Sequence, residues 1–414
     1  MQFRFASLGL AAIGAAAMAQ QPSQPPAGAT ENQNAKVLKA ETYVRPPAIV
    51  EQAVLAAWHL NASVGNLNPA QTHWVQLTRD GLPKLADLGR PHLNLAGLEI
   101  DLGAECDRSL MTRRNTGMFV HSLEGGKSVK VDIPAGVSPD RASWSPDGRW
   151  IAFLGIKNEG VWLYVAEAAT GKVRRLSQKQ LLATLESDLQ WRSDSSALAV
   201  VLIPEKRPDA PSIHAVAQGP HVNVSDPVVN RIRTYPDRLE NVNEVKLLKR
   251  LTTGQAALID LKGGVETVGE PKMIANLNAA PDFSAFRVSE VREPFSMLFP
   301  FGSFSRREAL VGADGKEITE LSRSPQPGLP TPTAPAATGI GPRGPRGGGG
   351  GAAAGQSSAA PMDLGRRGLT WAPDGVGIIY QQRGEPDGEG KRKDRLIRWK
   401  APYDAKTVDV LWES

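Results

Sequence analysis

Apolar and polar residues alternate with a period of two in short runs along most of the chain, and turn residues separate these runs. Other runs are apolar throughout, such as residues 161–165 (Val-Trp-Leu-Tyr-Val), which precede a Thr-Gly-Lys turn at residues 170–172. Alternation of this kind, bounded by turn residues, is typical of antiparallel β-strands. Helices are predicted to be few, and one short helix is expected over residues 46–57, with proline in its first turn.

One turn recurs with the same sequence pattern. Residues 143–153 read Ser-Trp-Ser-Pro-Asp-Gly-Arg-Trp-Ile-Ala-Phe, residues 370–380 read Thr-Trp-Ala-Pro-Asp-Gly-Val-Gly-Ile-Ile-Tyr, and weaker copies occur at residues 189–200, 279–288 and 67–75. In the two strong copies Pro presets φ, Asp hydrogen-bonds back to the turn, Gly accepts a positive φ, and an apolar strand follows. A Trp before the turn is placed to pack between adjacent sheets. The repeat therefore predicts an all-β protein with the fold of a β-propeller.

Two segments are too poor in apolar residues to join a core. Residues 20–42 are rich in Gln, Pro, Ala and Asn, and residues 324–365 are rich in Pro and Gly. Such compositions are typical of disordered segments. We therefore expect a disordered leader over residues 20–42 and a propeller domain over residues 43–414 that contains a low-complexity loop at residues 324–365.

A longer excursion is predicted at residues 204–253, between two blades. Residues 237–250 within it are expected to form a helix with Leu239, Val242 and Leu247 on one face. Segments of this length serve as lids or docking arms, or simply as structural cover.

The first residues predict export. A positive charge at Arg4, an apolar stretch at residues 5–17 and the small residues Ala17 and Ala19 have the order of a signal peptide over residues 1–19. Cleavage between Ala19 and Gln20 would leave a periplasmic or secreted protein. The alternative is an uncleaved membrane anchor. No later segment is apolar enough to cross a membrane.

Composition and motifs exclude several classes of function. The net charge of +5 is small for 414 residues and is spread along the chain, so a nucleic-acid partner is not expected. The single Cys106 excludes an internal disulfide, and its alternative role as a nucleophile lacks a neighbouring base. We therefore predict no catalytic residue, no metal site and no cofactor in this chain, because the Gly-x-Ser-x-Gly, phosphate-loop, dinucleotide and His-Glu-x-x-His motifs are all absent. The recurring aspartates are interpreted as turn-forming residues: Asp147, Asp194, Asp282 and Asp374.

Four segments resemble the glutamyl endopeptidase branch of the prolyl oligopeptidase (S9) family of serine peptidases. They are residues 43–47 (Tyr-Val-Arg-Pro-Pro), residues 82–101 from Leu-Pro-Lys-Leu-Ala-Asp-Leu to Leu-Ala-Gly-Leu-Glu-Ile-Asp, the Arg-Ser pair at residues 108–109, and residues 294–302. The second segment is the most specific, because an ordinary propeller has no reason to contain it. The resemblance runs from about residue 43 to the end of the chain and is interrupted by the low-complexity loop.

In that family a propeller of about seven blades caps an α/β-hydrolase domain. The resemblance therefore implies that this chain forms an incomplete propeller with about five of the expected seven blades. This chain is expected to lack that catalytic domain and therefore to be inactive alone, although the resemblance is to a family of serine peptidases. Its expected role is to gate access for peptide substrates to a missing or separate hydrolase domain, with no membrane contact after signal cleavage. The alternative is a stand-alone periplasmic propeller, similar to that of the TolB translocation protein, that acts as a binding scaffold.

Three arginines are candidates for binding an acidic substrate side chain. Arg108, Arg113 and Arg114 follow the family-like segment closely, and the planar guanidinium pairs well with a carboxylate. Arg108 is the strongest candidate because it belongs to the Arg-Ser pair of the resemblance. The alternative is a solvated basic loop.

Overall fold

The computed structural model describes residues 46–55, 66–79, 81–185, 188–209, 211, 235, 237–326, 366–386 and 392–414. The predicted signal peptide, the leader and most of the low-complexity loop lie outside these residues. The chain divides into two compact units, Met1–Leu55 and Ala56–Ser414.

The first unit contains one described helix, α1 (Ala48–Leu55), which lies within the helix predicted over residues 46–57. It begins directly after two prolines, and the Val50 amide donates to the Pro47 carbonyl at 2.8 Å. None of the described helices is long and apolar enough to cross a membrane.

The second unit is built from short antiparallel strands. In chain order they are β1 His73–Thr78, β2 His92–Leu95, β3 Leu98–Asp101, β4 Cys106–Asp107, β5 Gly117–Ser122, β6 Ser128–Lys130, β7 Ser138–Trp144, β8 Trp150–Lys157, β9 Gly160–Glu167, β10 Val173–Arg175, β11 Gln190–Trp191, β12 Ala197–Leu202, β13 Gln255–Asp260, β14 Val265–Thr267, β15 Ile274–Ala279, β16 Ala285–Val291, β17 Arg306–Gly312, β18 Glu317–Ser324, β19 Arg366–Trp371, β20 Ile378–Pro386, β21 Arg392–Trp399 and β22 Val408–Glu413. Its helices are α2 Leu85–Leu88, α3 Ser109–Thr112, α4 Val242–Thr252 and a 3₁₀ turn at Phe301–Ser303.

Four of the sheets are four-stranded meanders in which neighbouring strands follow each other along the chain: β7–β10, β11–β14, β15–β18 and β19–β22. A further sheet has the order β1-β5-β6, and a single bridge between Leu67 and Trp74 stands where its first strand would be. The predicted all-β propeller fold is confirmed; the number of blades in the complete ring stays a prediction. A separate small sheet, β2-β3-β4, lies in the connection between β1 and β5.

The recurring turn joins the first strand of each four-stranded sheet to the second. The positive φ that the turn requires falls on Gly148 (69°), Ser195 (62°), Phe283 (61°) and Gly375 (75°). In the first of these turns, Asp147 Oδ1 accepts a hydrogen bond from the Arg149 amide at 3.0 Å. The same bond recurs at Asp194, Asp282 and Asp374. The turn aspartates are therefore occupied in holding the turn, as their interpretation as structural residues predicts.

The core lies between adjacent sheets. Phe153 and Phe286 are among its largest fully buried side chains. Trp191 donates from Nε1 to the Ser143 carbonyl of the preceding sheet at 3.1 Å. This confirms for Trp191 the expected packing of the turn Trp between sheets.

The prediction that the 204–253 excursion lies between blades is wrong. It joins β12 to β13, which pair with each other in one sheet. Helix α4 begins later than expected, because the Asn241 side chain caps it by accepting from the Glu244 amide at 3.0 Å. Val242, expected on one face with Leu239 and Leu247, is 64% exposed because it opens the helix, whereas those two leucines are buried.

Three connections between second and third strands emerge at the same end of their sheets, because a meander reverses direction at every strand. They are residues 79–116, 203–254 and 292–305. We call their described parts together the cap.

Candidate functional site

The cap is held together by its own apolar cluster. Leu95 and Ile100 from the first connection pack with Leu248 from the second and with Phe301 and Phe304 from the third. Backbone bonds reinforce these contacts: the Phe301 amide donates to the Ala96 carbonyl at 2.8 Å. The family-like segment at residues 82–101 is therefore the part of the first connection that builds the cap.

A buried ion pair fixes the bend after β3. Asp101 is fully buried and accepts from Arg90 Nε at 2.7 Å, from Arg90 Nη2 at 2.9 Å and from the Ala104 amide at 2.8 Å. Burial alone would raise the pKa of the Asp101 carboxyl, but these hydrogen bonds hold the pKa below its usual value. Asp101 is therefore an ionised structural residue with its oxygens already occupied.

A cleft of about 710 Å³ opens between the cap and the start of β7. Its described walls come from Arg79, residues 81–84, Asp87, residues 112–116 and residues 136–138. Among the described residues of its lining, one is a carboxylate, Asp87, and four are cationic: Arg79, Lys84, Arg113 and Arg114. A concave site with this excess of positive charge attracts anionic groups.

Two of the three candidate arginines line this cleft. Arg113 is exposed and ends helix α3 with its amide bonded to the Ser109 carbonyl, while its side chain makes no hydrogen bond or ion pair within the described part of the chain. Arg114 donates from Nη2 to Asn158 Oδ1 at 2.6 Å, which orients its guanidinium beside the β8–β9 turn. The structure thus brings Arg113 and Arg114 together with Arg79 and Lys84.

Arg108, the candidate favoured by the resemblance, lies outside the cleft lining. Its Nη1 pairs with Glu99 Oε2 at 2.9 Å, and its Nη2 donates to the Leu88 carbonyl at 2.9 Å. The first contact reaches β3 and the second reaches the C-terminal end of α2. Arg108 therefore ties the wall that contains residues 82–88 to the small sheet.

Sequence reasoning missed Arg79 and Lys84. Lys84 lies inside the family-like segment, so its position was marked, but neither residue is near Arg113 in the sequence. Arg79 follows β1 directly, and β1 pairs with β5 so that Thr78 lies opposite Gly117. That register brings the end of β1 beside the residues that precede β5.

A half-buried carboxyl lies behind the cleft wall. Asp140 accepts from Asn115 Nδ2 at 2.9 Å and from the Arg141 amide at 2.8 Å. Burial raises the pKa of the Asp140 carboxyl above its usual value, against the lowering effect of these bonds and of the charges on Arg141 and Arg79.

Cys106 has the environment of a structural residue. It is fully buried, and burial raises the pKa of its thiol to about 12. A thiol with this pKa does not supply a thiolate nucleophile at neutral pH. Among the described residues, no group of three or more His, Cys, Asp and Glu side chains is arranged to hold a metal ion. The predicted cleavage site at Ala19 and Gln20 lies outside the described residues.

Comparison with known proteins gives two curated relatives. The chain is 26% identical over 363 residues to a probable chloroplastic glutamyl endopeptidase of Oryza sativa subsp. japonica, covering 84% of this chain and 35% of the relative. It is 31% identical over 276 residues to the corresponding protein of Arabidopsis thaliana, covering 63% of this chain and 28% of the relative. The chain thus spans about a third of the length of these relatives. It matches no protein-family model.

Solved structures with a similar arrangement of strands are more distant. They include an acylaminoacyl peptidase from Pyrococcus horikoshii, with 12% identity, a TM-score of 0.36 and coverage of 86% of this chain and 47% of the other. TolB from Acinetobacter baumannii has 13% identity, a TM-score of 0.31 and coverage of 81% and 59%. TM-scores this low do not indicate a shared function.

Proposed function

We propose that this chain, a propeller-type member of the prolyl oligopeptidase family related to the glutamyl endopeptidases, gates the access of peptides to a serine peptidase active site and helps to bind their acidic side chains. The active site itself would lie on an α/β-hydrolase domain, because the chain contains no Gly-x-Ser-x-Gly motif. There, acyl transfer through a nucleophilic serine would cleave the peptide bond.

The observation that carries the proposal is the basic cleft beside the family-like segment. The described residues of its lining include four cations and one carboxylate, and the Arg113 side chain has no partner among the described residues. A peptide carboxylate that enters the cleft would therefore find a guanidinium with unused donors. Arginine suits this task because its planar fork can donate two parallel hydrogen bonds to one carboxylate.

Peptide binding by the purified chain tests this role without any catalytic step. The probes are blocked pentapeptides that carry a neutral fluorophore and differ only in one Glu or Gln, so that the Glu side chain is the only carboxylate. Fluorescence anisotropy should give tighter binding of the Glu peptide. Arg113→Ala should weaken that binding about tenfold, because one charge-assisted hydrogen-bonded pair is lost in a partly hydrated site.

The matched control is Lys127→Ala. Lys127 is exposed in the turn between β5 and β6, at the opposite end of the sheet from the cleft. Lys127→Ala removes one positive charge, as Arg113→Ala does. If Lys127→Ala weakened binding as strongly as Arg113→Ala, only the net charge of the chain would matter. Equal affinity for the Glu and Gln peptides would contradict the proposal and favour a scaffold role like that of TolB.

Export is proposed on the sequence of the first residues alone. With residues 1–19 as a signal peptide, residues 20–42 as a leader and residues 43–414 as the propeller domain, the mature protein would begin at Gln20 and act in the periplasm or outside the cell. N-terminal sequencing of the exported protein checks this. An intact Met1 on that protein would refute it.

A further inference from the structure

The basic cleft also has an apolar wall. Leu82 and Pro83 both line it, and Leu82 is 59% exposed although it is a large aliphatic side chain. Val137 contributes a third apolar residue from the segment before β7. An exposed apolar residue is ordinary by itself, but here it adjoins a cluster of cations inside one concavity.

The wall is held in place from outside the cleft. Helix α2 begins two residues after Pro83, and Arg108 donates to the carbonyl of its last residue, Leu88. Arg108 is anchored in turn by Glu99. Leu82 is therefore presented on a tethered segment and not on a free loop end.

We propose that the cleft binds two neighbouring side chains of a peptide: a carboxylate at its cations, and a large aliphatic side chain against Leu82 and Pro83. This inference rests on the proposed function and adds the residue class next to the acidic one. Charge complementarity selects the occupant, because the described lining residues, four cations and one carboxylate, favour an anionic ligand. The adjoining apolar wall favours a ligand that carries an aliphatic group beside its charge, and an extended peptide supplies both from consecutive residues.

The test extends the same anisotropy measurement. The peptides carry Leu or Ala directly before or directly after the Glu, and each has a matched Gln version. We expect one of the two Leu peptides to bind the wild-type chain about tenfold more tightly than the Ala peptide, because the exposed part of Leu82 becomes covered on binding. Leu82→Ser should abolish this advantage and leave the preference for Glu over Gln.

Leu85→Ser is the matched control. Leu85 is 85% exposed in the adjoining helix α2 but does not line the cleft, so its loss should leave the advantage of the Leu peptide intact. Both substitutions replace exposed side chains, and thermal melts should show both variants to be folded. A preference for Glu with no advantage from Leu overturns this inference alone, as does an equal effect of Leu85→Ser. Absence of any preference for Glu overturns the proposed function as well.

Discussion

Replacing Arg108 by alanine separates a positioning role from substrate reading. The side chain is 20% exposed and makes two contacts, one with Glu99 and one with the Leu88 carbonyl. Neither Glu99 nor Leu88 lines the cleft. We therefore expect Arg108→Ala to lower stability while the ratio of affinities for Glu and Gln peptides stays as in the wild type.

The size of the effect follows from the two contacts. Glu99 is 55% exposed, so its ion pair with Arg108 contributes about 0.2–1 kcal/mol. The hydrogen bond to the Leu88 carbonyl contributes about 1 kcal/mol. The free energy of unfolding should fall by about 1–2 kcal/mol. Arg108→Lys should recover part of this, because lysine keeps the charge but not the fork that reaches both partners.

Urea denaturation gives the stability, and the anisotropy assay gives the ratio of affinities. The interpretation of Arg108 as a tether fails if Arg108→Ala removes the preference for Glu and leaves the unfolding midpoint unchanged. In that case Arg108 would itself contact the carboxylate, as the resemblance alone suggested.

Three further predictions concern the scaffold. Asp101→Asn should cost about 2–4 kcal/mol at neutral pH, because it leaves Arg90 beside an uncharged buried partner. The pKa of Asp101 is lower in the folded chain than in the unfolded chain, where it is about 4. The contribution of Asp101 to stability is therefore present above pH 4 and is lost as the pH falls through the folded-state pKa. Urea melts of the wild type and the variant should converge in acid. Gly171→Ala should lower the free energy of unfolding by about 3 kcal/mol in the same assay, because φ is +74° and the new Cβ would lie within 2.3 Å of a backbone carbonyl of the preceding sheet. The control Gly125→Ala, where φ is +99° and no atom lies near the new Cβ, should lower it by about 1 kcal/mol. Equal losses in the two variants would contradict the close contact between sheets at Gly171. Cys106 should react with iodoacetamide at pH 8 only in denaturant, because burial raises its pKa to about 12, and rapid labelling of the folded chain would refute this assignment.

The propeller fold was predictable because its signals are local. Each turn needs a residue with positive φ and an aspartate that bonds two residues ahead, and both requirements fall within a few consecutive positions. Even the weak copies with Ser195 and Phe283 at the positive-φ position adopt the same turn. The turn therefore forms without glycine at these two places, where the side chains of Asp194 and Asp282 make the same hydrogen bond to the backbone.

The cap and the cleft were decided by tertiary structure. The excursion at residues 204–253 was expected between blades, since nothing within it indicates that β12 and β13 pair across it. Arg79 and Lys84 line the same cleft as Arg113 because β1 and β5 pair in one register and because the first connection folds back on itself.

Arg108 illustrates the same limit at a single residue. Its sequence context marks it as significant, but only the folded chain places Glu99 and the Leu88 carbonyl within its reach and away from the cleft. A residue type and its spacing determine which bonds a side chain is able to make. Which partners it meets depends on contacts between segments far apart in sequence, and those contacts form only when the sheets and their connections pack together.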